Sequence, residues 1–323
     1  LFFLDIFYVP LLASTLLPLT LLYTFKKTTT YSESKALKYS LLPLVFYFLP
    51  FHLTTPHNVV LVLLFISIFL IYVYIKEKIP FWVPLSTILI SVLTHPLLGA
   101  PLILFFCAIV IGKQIKNEKF FHALSFLYII GIALLFPILF GINNYLSGYG
   151  FPNFGNPLLG FPKFSALFAR PYWFTQDTGF LLDTLYHIQY ALPILLIGIS
   201  ILGFILTKQK KLIERLFLYT SIGLFVGAWL LCSWIVFPNL AEFEQGNYPF
   251  RLVVASTLFL LPWFFVIFDK WKLPYFKKIQ KILFFLLFSG ILMISLYFQY
   301  PQKNPKINFP GFNITHYDFD AVR

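Results

Sequence analysis

The segment Glu242-Phe243-Glu244-Gln245-Gly246-Asn247-Tyr248-Pro249-Phe250-Arg251 sets two carboxylates and a guanidinium at the mouth of an apolar run. Carboxylates so placed can act as general base or metal ligand, and a guanidinium matches phosphate oxygens in pairs. Arg251 is the most pointed of these residues, because a cation abutting apolar sequence calls for an anion. Glu242, Glu244 or a lipid phosphate can supply it. Asp183 and His187 form a second set, four residues apart in a run of helical spacing (Phe180, Leu181, Leu182, Leu185). At that spacing two side chains meet on one helix face, as an oriented acid–base dyad or as a structural pair. Asp177, just ahead of the run, reads as its N-cap. Arg170 beside Pro171-Tyr172-Trp173 joins a cation to flat rings. That set suits a sugar phosphate, with interfacial anchoring of Trp173 as the plain alternative. His95-Pro96 can hydrogen-bond a phosphate or a sugar hydroxyl, or cap neighbouring carbonyls. Asp5 is either an ionisable group at membrane depth or a wet helix end.

Several chemistries have no signature here. The sequence holds no P-loop, no Gly-rich dinucleotide turn, no His-Glu-x-x-His, no Gly-x-Ser-x-Gly and no Arg-rich span. Cys107 and Cys232 lie in apolar runs without metal or redox spacing and read as packing residues. A net charge of +12 invites a nucleic-acid partner, but the lysines and arginines cluster at the ends of apolar runs, not in a stripe. No nucleic acid is expected.

The elements that must position these residues are set by the apolar runs. Of 323 residues 59% are hydrophobic and only 11% charged, the composition of a multi-span helical membrane protein. The runs are Leu1–Phe25, Tyr39–Phe51, Asn58–Ile75, Phe81–Gly112, Phe120–Ile142, Ile188–Thr207, Leu216–Phe237, Leu252–Phe268 and Ile282–Gln299. Phe81–Gly112 is too long for one upright span, and Thr94-His95-Pro96 splits it into two short helices. The expected fold is therefore all-α: a polytopic transmembrane bundle over residues 1–300 with about ten membrane segments, some short or broken.

Charge gives this bundle an orientation. The stretches 26–38, 76–80, 113–119, 208–215 and 270–281 hold 18 of the 24 lysines and arginines, and alternation puts all five on one side. Positive-inside bias makes that side cytoplasmic and both ends of the chain extracytoplasmic. The interval 143–187, rich in Phe-Pro steps and polar groups, becomes a long extracytoplasmic loop packed at the membrane surface. His52, His57 and His95 fall on the same side. Residues 301–323 begin a further extracytoplasmic segment, which carries the sequon Asn313-Ile314-Thr315. Because the chain opens on Leu1 directly in apolar sequence and stops soon after its last span, it reads as a fragment missing residues at both ends.

Three local features resemble one family. Thr94-His95-Pro96-Leu97-Leu98-Gly99 looks like the His-Pro step between short paired helices of the GT-C superfamily, the polytopic glycosyltransferases that use polyprenyl-phosphate-linked sugars. Tyr248-Pro249-Phe250-Arg251-Leu252 looks like the aromatic-Pro-aromatic-Arg step before a late helix of uncharacterised prokaryotic members. Thr315–Arg323 looks like the start of the extracytoplasmic domain after the last span. The resemblance implies an integral membrane enzyme of the cell envelope. It would move a sugar from a polyprenyl-phosphate donor to a glycan, lipid or protein acceptor, with inversion at the anomeric carbon. Arg251 and Arg170 would steady the lipid phosphate and His95 would touch donor or acceptor. Some members use a divalent metal. The family's acidic catalyst usually sits in the first outer loop, which here would lie upstream of Leu1. Asp5 does not match it. Alternatives from other classes are a transporter or flippase of lipid-linked or anionic substrates and a noncatalytic membrane subunit. Among enzymes the rival is a polymerase or ligase of lipid-linked glycans.

Overall fold

The structure, a computed structural model, describes residues 2–46, 56–168, 180–207, 210–236 and 242–270, with helical positions at 282, 286 and 289–290. The described chain is dominated by α1 (Phe2–Thr28), α2 (Glu33–Ser40), α3 (Pro56–Ile75), α4 (Trp82–Thr94), α5 (Pro96–Gln114), α6 (Glu118–Asn144), α7 (Phe161–Ala166), α8 (Phe180–Leu206), α9 (Arg215–Ser233) and α10 (Glu242–Lys270). One short antiparallel ribbon joins β1 (Asn153–Phe154) to β2 (Ile235–Val236), with Asn153 opposite Val236. The all-α expectation holds.

Among the described residues four stretches are long and apolar enough to cross a membrane: Asn58–Ile75, Glu118–Tyr149, Leu212–Ser233 and Gly246–Ile267. Trp82–Thr94, Leu98–Gln114 and Tyr190–Leu206 are shorter apolar helices. The run from Tyr39 is not one helix over its described part. α2 ends at Ser40 and a 3-10 turn, Leu42–Phe46, follows it, with Pro43 lacking the N–H that an α-turn needs. The interval 143–187 is likewise not one irregular loop. A π-turn (Tyr145–Tyr149), β1 and α7 break it, and α8 begins at Phe180. The expected final span and the tail 301–323 lie outside the described residues, apart from the few helical positions near 282–290.

α10 is the centre of the bundle. It packs on α3, α8 and α9, and 72% of its most apolar window is buried, against 28% for α6, which faces outward. Lipid tails are as apolar as leucine, so helices in a membrane associate through close packing and not through expulsion of water. Glycines supply the closeness. A Cβ built on Gly203 of α8 would stand 2.0 Å from the Trp263 carbonyl oxygen of α10. Gly223 and Gly227 of α9, four residues apart, do the same against α6: their Cβ atoms would meet Ile132 at 2.8 Å and the Ala133 carbonyl at 2.9 Å. Tyr128 and Thr220 then share a hydrogen bond of 2.8 Å across that seam.

Lysines gather at one end. The buried carboxylate of Glu214, just ahead of α9, accepts from Lys76 Nζ, beyond the end of α3, and from the Lys211 backbone N–H at 3.3 Å. Lys113 at the end of α5 donates to the Tyr74 carbonyl at 3.5 Å and lies 4.1 Å from the Tyr74 ring centre. Phe25 at the end of α1 packs on Phe265 near the end of α10, at 5.3 Å between ring centres. The expectation that clusters 26–38, 76–80, 113–119 and 208–215 share a side matches this arrangement of helix ends.

Two outcomes test the packing. Gly203→Ala, forced against a carbonyl that cannot move, should destabilise the detergent-solubilised protein by about 1–3 kcal/mol. Gly198→Ala on the same helix meets nothing within 4 Å and should be neutral or stabilising. Thermal unfolding followed by circular dichroism separates them, and equal melting temperatures would disprove the close α8–α10 approach. Lys76→Met should cost about 3–5 kcal/mol, because it strands a buried carboxylate. Burial is the largest single effect and lowers the Lys76 pKa, but the hydrogen bonds and charges of Glu214 and Tyr72 together outweigh it and the net shift is upward. The pair's contribution is therefore complete below the ordinary lysine value and lost only as pH rises through the raised one. A pH scan from neutral to strongly alkaline should show wild type losing its advantage over Lys76→Met only at the alkaline end.

Candidate functional site

His95 is placed by backbone logic. The residue before a proline is pushed out of the helical region, and proline is preorganised for the first position of a helix. His95 is accordingly extended (φ −156°, ψ 95°) between the last residue of α4 and Pro96 of α5. Its N–H still donates to the Ser91 carbonyl at 3.0 Å, and its own carbonyl receives the Gly99 N–H at 3.0 Å. Gly99 lets the two short helices touch, since a Cβ there would lie 2.5 Å from Val92 Cα. The sequence-based split of Phe81–Gly112 at this point is correct.

Arg251 is placed differently from its sequence reading. Pro249 does not end a loop before a span; α10 runs unbroken from Glu242 through Pro249 and Pro262. A backbone carbonyl at membrane depth has no water to turn to, so the helix continues past a proline and not into irregular chain. Arg251 is thus the tenth residue of a long helix, half-buried, not a residue at its mouth. Glu244 and Glu242 lie about 10 and 14 Å back along the axis. Among the described residues no carboxylate reaches Arg251. Its guanidinium carbon lies 5.3 Å from the Tyr248 ring centre, one turn earlier.

Arg251 lies within electrostatic reach of His95. Burial first, and the positive charge of Arg251 second, hold the His95 imidazole below the ordinary histidine range, against a smaller opposing effect of its own backbone. Aromatic rings frame the pair's surroundings. Phe140 of α6 packs on Tyr248 at 4.9 Å, and Tyr190 of α8 packs on Phe250 at 5.2 Å. Neither Tyr190 nor Phe140 stands out in the sequence. The signal that was available is the three-residue spacing of Tyr248 and Arg251, which has meaning only if Pro249 lies inside a helix.

The other candidates distribute as follows. Asp183 and His187 both lie on α8, as their spacing predicts; His187 is exposed, one turn before Tyr190, so the start of α8 sits beside the start of α10. Glu242 and Glu244 occupy the first turn of α10, and Asp5 lies near the start of α1, where the described feature is the helix itself. Arg170, Trp173 and Asp177 lie outside the described residues, as does His52. Behind this end, the chain after α6 folds onto the last turn of α9. The Gly155 N–H donates to the Trp234 carbonyl at 2.7 Å, and Gly160 approaches Ser233 too closely to carry a side chain.

Two clefts lie elsewhere, one of about 410 Å³ among α5, α6 and α9 and one of about 370 Å³ among α7, α8 and α9. Their walls are almost wholly apolar, and neither Arg251 nor His95 lines them. Arg251 with its neighbour His95 is the better candidate for polar chemistry, because a desolvated cation is stable only with an anion to meet it. No family model, curated protein or solved structure matches the chain. Among the described residues no three His, Cys, Asp or Glu side chains converge on a metal position.

The coupling of the two residues is measurable. Arg251→Gln should raise the His95 pKa toward the ordinary value while leaving it depressed, since burial is the larger cause. Histidine carbon and nitrogen chemical shifts titrated in detergent micelles read this directly. An unchanged His95 titration would show that the two groups do not sense each other. Because the folded value is depressed, the His95 contribution to stability is present above about pH 6.5 and lost as pH falls through the lowered value.

Proposed function

We propose that the protein is an integral membrane glycosyltransferase. It transfers a sugar from a polyprenyl-phosphate donor to an acceptor at the end of the bundle opposite its lysines. The observation that carries this reading is the half-buried Arg251, without a carboxylate among the described residues, beside His95 and among aromatic rings. A guanidinium in a poorly solvated place suits a phosphate attached to a lipid, and rings suit the faces of a sugar. In the proposed step a carboxylate takes the proton of the acceptor hydroxyl, whose oxygen bonds to the anomeric carbon. The bond from that carbon to the phosphate oxygen breaks, and the lipid phosphate leaves with its electron pair onto Arg251. Glu242 and Glu244, on the turns of α10 above Arg251, and the Asp183–His187 pair at the start of α8 are the candidate bases. Arg170 and Trp173 would add a second cation and a stacking surface. Positive-inside bias makes the lysine end cytoplasmic and this end extracytoplasmic, in a cell-envelope membrane.

A second reading gains from the corrected position of Arg251. A cation within an apolar helix, not at its mouth, also marks the path of an anionic or lipid-linked substrate through a transporter or flippase. Binding and turnover separate the two. Native mass spectrometry of the purified protein should show saturable binding of polyprenyl monophosphate that the uncharged polyprenol does not share. Arg251→Ala should weaken it roughly tenfold or more, about 1.4 kcal/mol. Release of polyprenyl phosphate from a polyprenyl-phosphate sugar in the presence of membrane acceptors supports transfer, and binding without release supports the transporter reading. Equal binding by wild type and Arg251→Ala removes the clamp and both readings with it.

A further inference from the structure

The cleft among α5, α6 and α9 is not explained by any of this chemistry, and its position is informative. On α5 its wall is the stripe Leu104, Cys107 and Ile111, continued by Ile115 just past the helix end, and α6 supplies Leu124 and Gly131 opposite. Leu104 to Ile115 covers about 16 Å of helix axis. A bilayer's hydrocarbon core is about 30 Å thick, so the cleft has the depth of one leaflet. Its lower end reaches Gly112, Phe121 and Leu216, the lysine end of the bundle. There the exposed Lys116 and Lys119 flank it, together with the half-buried Arg215. Arg215 has His122 Nε2 as its described partner, at 3.4 Å, and among the described residues no carboxylate reaches it. Of the carboxylates near this mouth among the described residues, Glu118 faces His122 at 3.6 Å, and Glu214, next to Arg215 in the chain, is already paired with Lys76. The outer wall is α6, the helix of the four spans that buries least of itself, so the cleft opens sideways toward lipid.

We propose that this cleft seats an acyl chain of an anionic phospholipid from the leaflet at the lysine end, with the headgroup phosphate on Arg215, Lys116 and Lys119. Three features decide the occupant. The apolar wall of one-leaflet depth takes a single acyl chain, the sideways opening admits it from the bilayer, and Arg215, Lys116 and Lys119, with Glu214 taken up by Lys76, select an acidic headgroup. Basic pockets between spanning helices on the cytoplasmic side recognise lipid headgroups by this combination of chain burial and charge. The site is independent of the Arg251 reading and lies at the other end of the molecule.

The test is native mass spectrometry of the whole chain with phosphatidylglycerol or phosphatidylcholine of identical acyl chains. Wild type should bind phosphatidylglycerol roughly tenfold more tightly. Lys116→Gln combined with Lys119→Gln and Arg215→Gln should bring the two lipids to parity. Gly131→Leu places a side chain in the cleft, at a position where a Cβ meets nothing within 4 Å. It should weaken both lipids while leaving polyprenyl-phosphate binding unaltered. Equal binding of the two lipids by wild type would overturn the proposal. So would a phosphatidylglycerol preference that survives the triple substitution, or lipid binding untouched by Gly131→Leu.

Discussion

Close approach of helix backbones, permitted by glycine, is the constraint on which the bundle depends. Between lipid-immersed helices the removal of apolar surface from water contributes little, so association rests on van der Waals contact and a few hydrogen bonds. Gly203 lets α8 lie against the Trp263 carbonyl, Gly223 and Gly227 let α9 lie against α6, and Gly99 folds α5 back on α4. Each contact positions part of the candidate site or of a cleft. The first sets Tyr190 beside Phe250, the second builds one wall of the α5–α6–α9 cleft, and the third sets His95 between two short helices.

Charge divides the bundle into two unlike ends. At one, Glu214 is buried but satisfied, holding Lys76 and the Lys211 backbone, so the end of α3 meets the start of α9. A buried ion pair contributes little net stability against a hydrophobic replacement, yet breaking it strands a charge. Its effect here is to fix the register of two helices. At the other end Arg251 is half-buried with an aromatic ring and an imidazole as its described neighbours. A cation held that way is stored demand for an anion. The first end holds the helices in register, and the second carries a cation that no carboxylate among the described residues reaches.

Prolines show where local rules stop. Pro96 behaves as its chemistry requires, because the turn at His95 needs an extended residue followed by a helix start. Pro249 carries the same local preferences, yet α10 passes through it, since neighbouring carbonyls at that depth have only the helix itself to bond. The same reason moves Arg251 from the mouth of a helix to its interior.

The amino-acid sequence by itself determined the all-helical class, the apolar runs, the break at His95, the helix that carries Asp183 and His187, and the grouping of lysine clusters. These follow from hydropathy, spacing and proline stereochemistry, all of which act over a few residues. Only the tertiary structure decided that four described stretches are full-length apolar spans, that α10 is central, and that Arg251 lies within reach of His95 and Tyr248. It alone joined Lys76 to Glu214, which stand 138 residues apart in the chain. Such meetings depend on which helix faces can approach, and that is fixed by glycine contacts and buried charge summed over the whole bundle, not by any single stretch of sequence.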